Sequence, residues 1–210
     1  MVDPDANTNN TNSNTANAPA DHLPSVMKAA VATGFGDIDT NIFVRSDWPT
    51  PSLNYDSYNN NKKKQHEKDD PLLIIRVLAC ALAPGDVRVL SGKTDYMQLP
   101  PSGHPYIVGS DVSGIVVAMS DNALSERKFA VGDYVVNRFD EPQPNGGVAQ
   151  YRLVKSSLTA KCPSSIPPIV ACGLPASAMA AKRIVQSFVQ EGHNVLVIGG
   201  SGAVGSSGLQ

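Results

Sequence analysis

The chain lacks the residues that several functional classes require. It has three cysteines in 210 residues. Cys80, Cys162 and Cys172 stand far apart among apolar residues or beside proline. Neither a disulfide framework nor a Cys-x-x-Cys metal site follows from that spacing, and the three read as reduced, structural residues. Cations are not in excess: 17 Lys and Arg against 19 Asp and Glu leave a net charge of −2, which offers no basic surface for nucleic acid or an acidic membrane. No apolar run reaches membrane-spanning length, because Arg76 interrupts Leu72 to Leu82 and Lys182-Arg183 close the Ala-rich stretch before them. His22, His66, His104 and His193 are isolated and lack metal-ligand spacing. The first 25 residues contain neither Lys nor Arg, so they are not expected to be a secretory signal or a transit peptide. Residues 1–25 are expected to form a disordered, Asn/Thr-rich tail, since such sequence buries too little apolar surface to offset its ordering entropy. The expected location is cytoplasmic.

What the chain does have is concentrated near its end. Val195-Leu196-Val197-Ile198 is a short aliphatic run without proline, followed at once by Gly199-Gly200-Ser201-Gly202-Ala203-Val204-Gly205. The run suits a parallel strand buried on both faces. Gly200, Gly202 and Gly205 satisfy G-x-G-x-x-G. That pattern serves a tight turn off a strand, close approach of backbone N–H groups to a pyrophosphate, and close packing of the next helix. Residues 199–205 are therefore the candidate cofactor-binding residues. The acidic or basic residue that reads a ribose 2′ position falls about 20 positions further on, past Gln210, and the chain is expected to be cut short early in its cofactor domain.

Earlier segments read as many short strands punctuated by Gly and Pro. They are Met27–Ala32, Ile42–Arg45, Leu72–Leu82, Gly114–Ala118, Tyr134–Val136 and Val148–Val154. Such spacing, at roughly ten-residue intervals, argues a small β-barrel. Pro84 to Leu90 has room for one helical turn. The polar, charged run ending at Asp70 reads as a solvated loop expansion over about 52–70. After Pro167-Pro168 the period changes: Ala180, Ile184, Val185, Phe188 and Val189 lie at helical spacing, with Gly192 placed to end the helix.

Taken in order, these pieces carry a family resemblance. Its bearers are Ala83-Pro84-Gly85-Asp86, Ser91-Gly92, Pro105 to Gly114, Val131-Gly132-Asp133-Tyr134-Val135, Gly146-Gly147-Val148-Ala149-Gln150-Tyr151, Leu174-Pro175 and Val195 to Gly205. From about Met27 onward the chain resembles the medium-chain dehydrogenase/reductase superfamily, and within it the zinc-free quinone oxidoreductase branch. The resemblance implies a mainly β GroES-like barrel over residues 26–166, connecting helices over 167–192, and the first strand and turn of an α/β Rossmann domain over 193–210. It also implies NADP(H) as cofactor, hydride transfer to quinones or α,β-unsaturated carbonyl compounds, and a homodimer where the cofactor domain is complete. In zinc-dependent relatives a Cys ligand falls where Ala83 stands and a His ligand where Ser110 stands, so no zinc is expected.

Quinone-reducing relatives commonly carry Asn at the Ala83 position and Thr at the Ala180 position, and both contacts are lost in this sequence. No residue is assigned a catalytic role. Asp86, Tyr96 and Asp111 are the candidate substrate-pocket residues; for Asp86 and Asp111 the alternative is bonding to nearby backbone, and for Tyr96 a surface aromatic. The losses at Ala83 and Ala180 leave a non-catalytic barrel open as the alternative function, beside an incomplete gene product. A zinc alcohol dehydrogenase fits less well.

Overall fold

The computed structural model describes residues 23–53, 70–92, 105–139 and 146–210. The expected tail and the expansion at 52–70 lie almost wholly outside them.

Two antiparallel sheets form the body. The first contains β1 (Val26–Ala32), β2 (Ile42–Pro49) and β4 (Tyr106–Ile107), in the order β2-β1-β4. The second contains β3 (Leu72–Cys80), β5 (Val112–Met119), β6 (Tyr134–Asn137), β7 (Tyr151–Lys155) and β8 (Thr159–Lys161), in the order β7-β3-β5-β6-β8. β3, the longest apolar run of the first half, is buried along nearly its whole length and flanked by β7 and β5. Its side chains and those of its neighbours make the main core: Leu73, Ile75, Val77, Val112, Val116 and Val135 are nearly or fully inaccessible. A second core under β1 gathers Met27, Ala29, Val31, Ile107 and Ala149. Burial of such aliphatic side chains contributes about 1.5–3 kcal/mol each.

From Met27 to Val136 the strand expectations hold with shifted ends, while Val148–Val154 divides. Only Tyr151 onward joins a ladder as β7. Gly146 to Gln150 instead threads between the two sheets and stitches them together. The Ala30 N–H donates to the Val148 carbonyl at 2.9 Å, the Val148 N–H to Val108 at 2.9 Å, the Gln150 N–H to Lys28 at 3.0 Å, and the Val77 N–H to Gln150 at 2.9 Å. Gln150 thus serves one strand of each sheet. Two glycines open this segment because backbone approaches backbone: a Cβ on Gly146 would overlap the carbonyl oxygens of Ile107 and Val108.

Five of the helices are short. They are α1 (Ile38–Asn41), α2 (Pro84–Ser91), α3 (Asp121–Glu126), α4 (Pro168–Ala171) and, near the end, α6 (Ala203–Gly208). The longest is α5 (Pro175–Phe188). α2 starts on Pro84 and closes on Gly92, whose φ of 68° is the left-handed value that favours glycine. α5 stops at Phe188 and not at Gly192, because the β-branched Val189 is extended (φ −108°, ψ 132°); Gly192, at φ 85°, belongs to the following turn. No described helix is long and apolar enough to cross a membrane.

The strand expected at Val195–Ile198 does not form. No described residue pairs with it, and Leu196 and Ile198 are 85% and 89% exposed. An aliphatic run becomes a strand only where a neighbouring strand supplies its ladder, and no described strand of this chain does so.

Gly146→Ala should destabilise the fold by about 2–3 kcal/mol through overpacking against fixed backbone. Gly173→Ala, whose added Cβ would lie 3.5 Å from the Val170 carbonyl oxygen, should stay within about 0.5 kcal/mol. Urea unfolding of the two variants checks both.

Candidate active site

The sequence placed Asp86 and Asp111 in one pocket. The structure joins them through the turn Gly109-Ser110-Asp111, but gives them different work. Asp86 lies in the first turn of α2. One of its carboxylate oxygens accepts the Ala83 N–H at 2.7 Å, and the Ser110 hydroxyl donates to both oxygens, at 2.8 and 2.9 Å. Ala83, at the N-cap, has no side-chain acceptor, so only the returning half of a capping box is made: the Asp86 carboxylate takes the N-cap N–H. Asp86 and Ser110 are half-buried, which leaves the pair facing solvent on one side.

Asp111 is 3% exposed. Its Oδ1 accepts from the Phe139 N–H at 2.7 Å and its Oδ2 from the Ala176 N–H at 2.6 Å. Ala176 belongs to the first turn of α5, whose own N-cap residue, Leu174, offers no side-chain acceptor. Asp111 therefore caps α5 from a distance, buried and with each oxygen accepting a backbone N–H. Burial pushes its carboxyl above the ordinary carboxylate value, opposed by the Phe139 and Ala176 N–H groups and then by the Arg152 and Arg138 charges.

Three further groups complete the cluster. Arg152 is 4% exposed on β7 and donates from Nη1 to the Ser110 carbonyl at 2.5 Å. Burial lowers its proton affinity, while Cys80, Asp111 and Asp86 raise it. The Tyr106 hydroxyl is pushed up to about 12 by burial and, secondarily, by the Asp86 charge. The Cys80 thiol is likewise pushed up to about 12, mainly by burial. Tyr96 lies outside the described residues.

Ser110, Tyr106 and Arg152 were missed as site residues by sequence reasoning. A signal existed for Arg152: it shares strand parity with Val154, and both are buried while Tyr151, Leu153 and Lys155 are half-buried. A charge at a core-facing position calls for a partner. Ser110 was noticed only for the ligand it fails to be. Ala83 carries no donor atom and the Ser110 hydroxyl is engaged by Asp86, a donor set unsuited to a tetrahedral N/S zinc site. Among the described residues no group of three or more His, Cys, Asp or Glu is placed to hold a metal.

The glycine-rich segment forms a turn leading into α6. Gly199 has φ 78°, the Gly202 N–H donates to the Gly199 carbonyl at 2.9 Å, and the Ser206 N–H to Gly202 at 2.8 Å. A Cβ on Gly205 would overlap the Gly199 carbonyl oxygen, so the third glycine is what lets α6 close onto the turn. α6 packs against α5, with Gly208 facing Ala181. A Cβ on Gly199 would meet nothing within 4 Å, whereas one on Gly200 would crowd Leu209 and one on Gly202 the Gly199 carbonyl, so the turn is compact and open to solvent at Gly199, as backbone contact with a phosphate requires. Gly202 caps α6 and no described side chain fills that role.

Comparison with known proteins agrees with this arrangement. The alcohol dehydrogenase GroES-like domain family matches residues 69–164, which run from the start of β3 past the end of β8. The chain is 30% identical over 191 residues to 2-methylene-furan-3-one reductase of Solanum lycopersicum, covering 90% of this chain and 44% of that one. It is 34% identical over 143 residues to quinone oxidoreductase of Homo sapiens, covering 67% of this chain and 40% of that one. A mycobacterial protein solved in complex with NADPH matches with a TM-score of 0.63 at 26% identity, over 87% of this chain and 48% of that one. The chain thus spans about half the length of the relatives it matches. Fold and site together define a GroES-like domain of the alcohol dehydrogenase type, followed by a helix and a glycine-rich turn. The chain belongs to the medium-chain dehydrogenase/reductase superfamily, with its likeness to the quinone oxidoreductase branch.

Two outcomes follow. Asp111→Asn preserves shape but turns an NH2 group toward one of two backbone N–H donors, and should cost about 2–3 kcal/mol in urea unfolding. Iodoacetamide at pH 8 should leave Cys80 unmodified in the folded protein and alkylate it in urea, because burial keeps the thiol protonated; peptide mass mapping reads the difference.

Proposed function

We propose that this chain is the substrate-binding barrel and the opening of the cofactor domain of an NADPH-dependent, zinc-independent oxidoreductase that reduces quinones or α,β-unsaturated carbonyl compounds in the cytoplasm. On this reading residues 26–166 are the barrel, 167–192 the connecting helices, and 193–210 the start of the Rossmann domain, which in its full form supports a homodimer. The observation that carries the proposal is the turn over 199–205, closed by Gly205 against the Gly199 carbonyl and followed at once by α6. Relatives named as a furanone reductase and a quinone oxidoreductase, and a structural neighbour solved with NADPH, support it.

NADPH, when bound, supplies the hydride, so the protein has to position and enclose more than it has to react. The backbone of Gly199, Gly200, Ser201, Gly202, Ala203, Val204 and Gly205 would hold the pyrophosphate. The half-buried Ser110–Asp86 pair gives the pocket a fixed polar wall, Ser110 being held by Asp86 with its remaining lone pairs free to accept a hydrogen bond. By family resemblance alone, Tyr96 is the further candidate for this pocket. Asp111 and Arg152 hold that wall from behind.

A non-catalytic barrel is the second reading. It is favoured by Ala83, which brings no polar side chain to the pocket, and by the unpaired, exposed run Val195–Ile198.

The test is a fluorescence titration of the chain with NADPH. Saturable binding is expected, weakened at least about tenfold by Gly205→Ala, which cannot close the turn; tenfold corresponds to about 1.4 kcal/mol. Absence of binding up to millimolar NADPH contradicts the cofactor reading and favours the non-catalytic barrel.

A further inference from the structure

We propose that Arg152 is the positioning residue of this site: a buried cation that fixes the Gly109-Ser110-Asp111 turn so that Asp86 engages α2 and Asp111 engages α5. The inference rests on the reading of that turn as the wall of the substrate pocket.

Three successive carbonyls of the turn each find a donor. Gly109 accepts the Gly147 N–H at 3.1 Å, and Asp111 accepts the Ala81 N–H at 2.9 Å. The middle one, Ser110, receives Nη1 of Arg152. The two outer carbonyls are held by backbone that the sheets already fix, whereas the apex of the turn depends on a side chain. The peptide held there carries Asp111, whose carboxylate reaches Phe139 on one side and Ala176 on the other. Rotation of that peptide moves both bonds together.

A guanidinium is an expensive way to make one hydrogen bond. Arg152 occupies a core-facing position opposite Ile75 in the β3–β7 ladder, and its Nε has no hydrogen-bond partner among the described residues. Burying a cation there is favourable only with opposite charge near it. The negative groups that face it are Asp111 and Asp86; the Cys80 thiol beside them stays neutral at physiological pH. Arg138 is the other cation acting on Asp111, and the weaker of the two. An apolar side chain of similar length fills the volume of Arg152 but leaves the Ser110 carbonyl unbonded and Asp111 without its main counter-charge.

The test compares amide hydrogen exchange in the wild-type chain, R152M and R152K at three positions: Phe139 and Ala176, which donate to Asp111, and Val116, which donates to Asp133 in the main core. R152M should speed exchange at Phe139 and Ala176 about tenfold, in line with the loss of roughly one hydrogen bond, and leave Val116 unchanged. R152K, which keeps the charge and a donor, should restore most of the protection. Equal acceleration at all three amides, unchanged exchange at Phe139 and Ala176, or an R152K protein indistinguishable from R152M overturns the proposal. Should R152M not fold, R152Q is read at the same amides by the same criteria. NADPH titration of the wild-type chain separates the two readings: failure to bind defeats the proposed function and leaves the exchange result standing, while normal binding with unchanged exchange in R152M defeats the positioning role alone.

Discussion

One buried carboxylate ties the start of α5 to the barrel. Asp111 takes an N–H from Phe139, just past β6, and another from Ala176, in the first turn of α5. Charge-assisted bonds of this kind contribute about 1.5–3 kcal/mol each, and losing one leaves a buried anion behind. Among the described residues the barrel and connecting segment are also tied by neutral bonds, from the Ser113 hydroxyl to the Pro168 carbonyl at 2.9 Å and from the Tyr134 hydroxyl to the Ile166 carbonyl at 3.1 Å, and by packing of α4 against β3 and β5 around the buried Ala171 and Cys172. These act before α5 begins. The start of α5, and through its packing with α6 the glycine-rich turn, depends on Asp111.

That dependence divides the labour of adjacent residues. Ser110 and Asp111 are neighbours in one turn, yet Ser110 stays half-buried with Asp86 as its partner while Asp111 is withdrawn into the body. A turn that is rigid on its inner side and polar on its outer side can orient a substrate without itself reacting, which is what hydride transfer from a bound cofactor asks of a protein. Buried charge is the means: Arg152 and Asp111 offset each other's desolvation, and the turn between them inherits their rigidity.

Much of the fold was legible in the sequence. The aliphatic runs of β1, β3 and β5 and the Gly and Pro between them announce a small antiparallel barrel, and the 3.6-residue period after Pro167 announces α5. Less legible were features set by tertiary partners. Gly146 to Gln150 looks like the start of a strand, but its hydrogen bonds go to residues of both sheets. Val195 to Ile198 has the composition of a buried strand, and composition supplies no partner. At the site, the sequence pointed to Asp86 and Asp111 and allowed for each the plainer role of bonding to backbone. Asp111 does bond to backbone, but not to the nearby backbone of that reading: Phe139 and Ala176 lie 28 and 65 residues away, separations at which no local pattern speaks. Arg152 was visible only through strand parity, once β7 was in register.

The central role of Asp111 is tested most directly by the scalar coupling across its two hydrogen bonds, observed by NMR as correlations from the Phe139 and Ala176 amide nitrogens to the Asp111 carboxyl carbon. Both correlations are predicted for the folded chain near neutral pH. A correlation to Phe139 without one to Ala176 would show α5 held by something else, and would contradict its dependence on a single buried carboxylate.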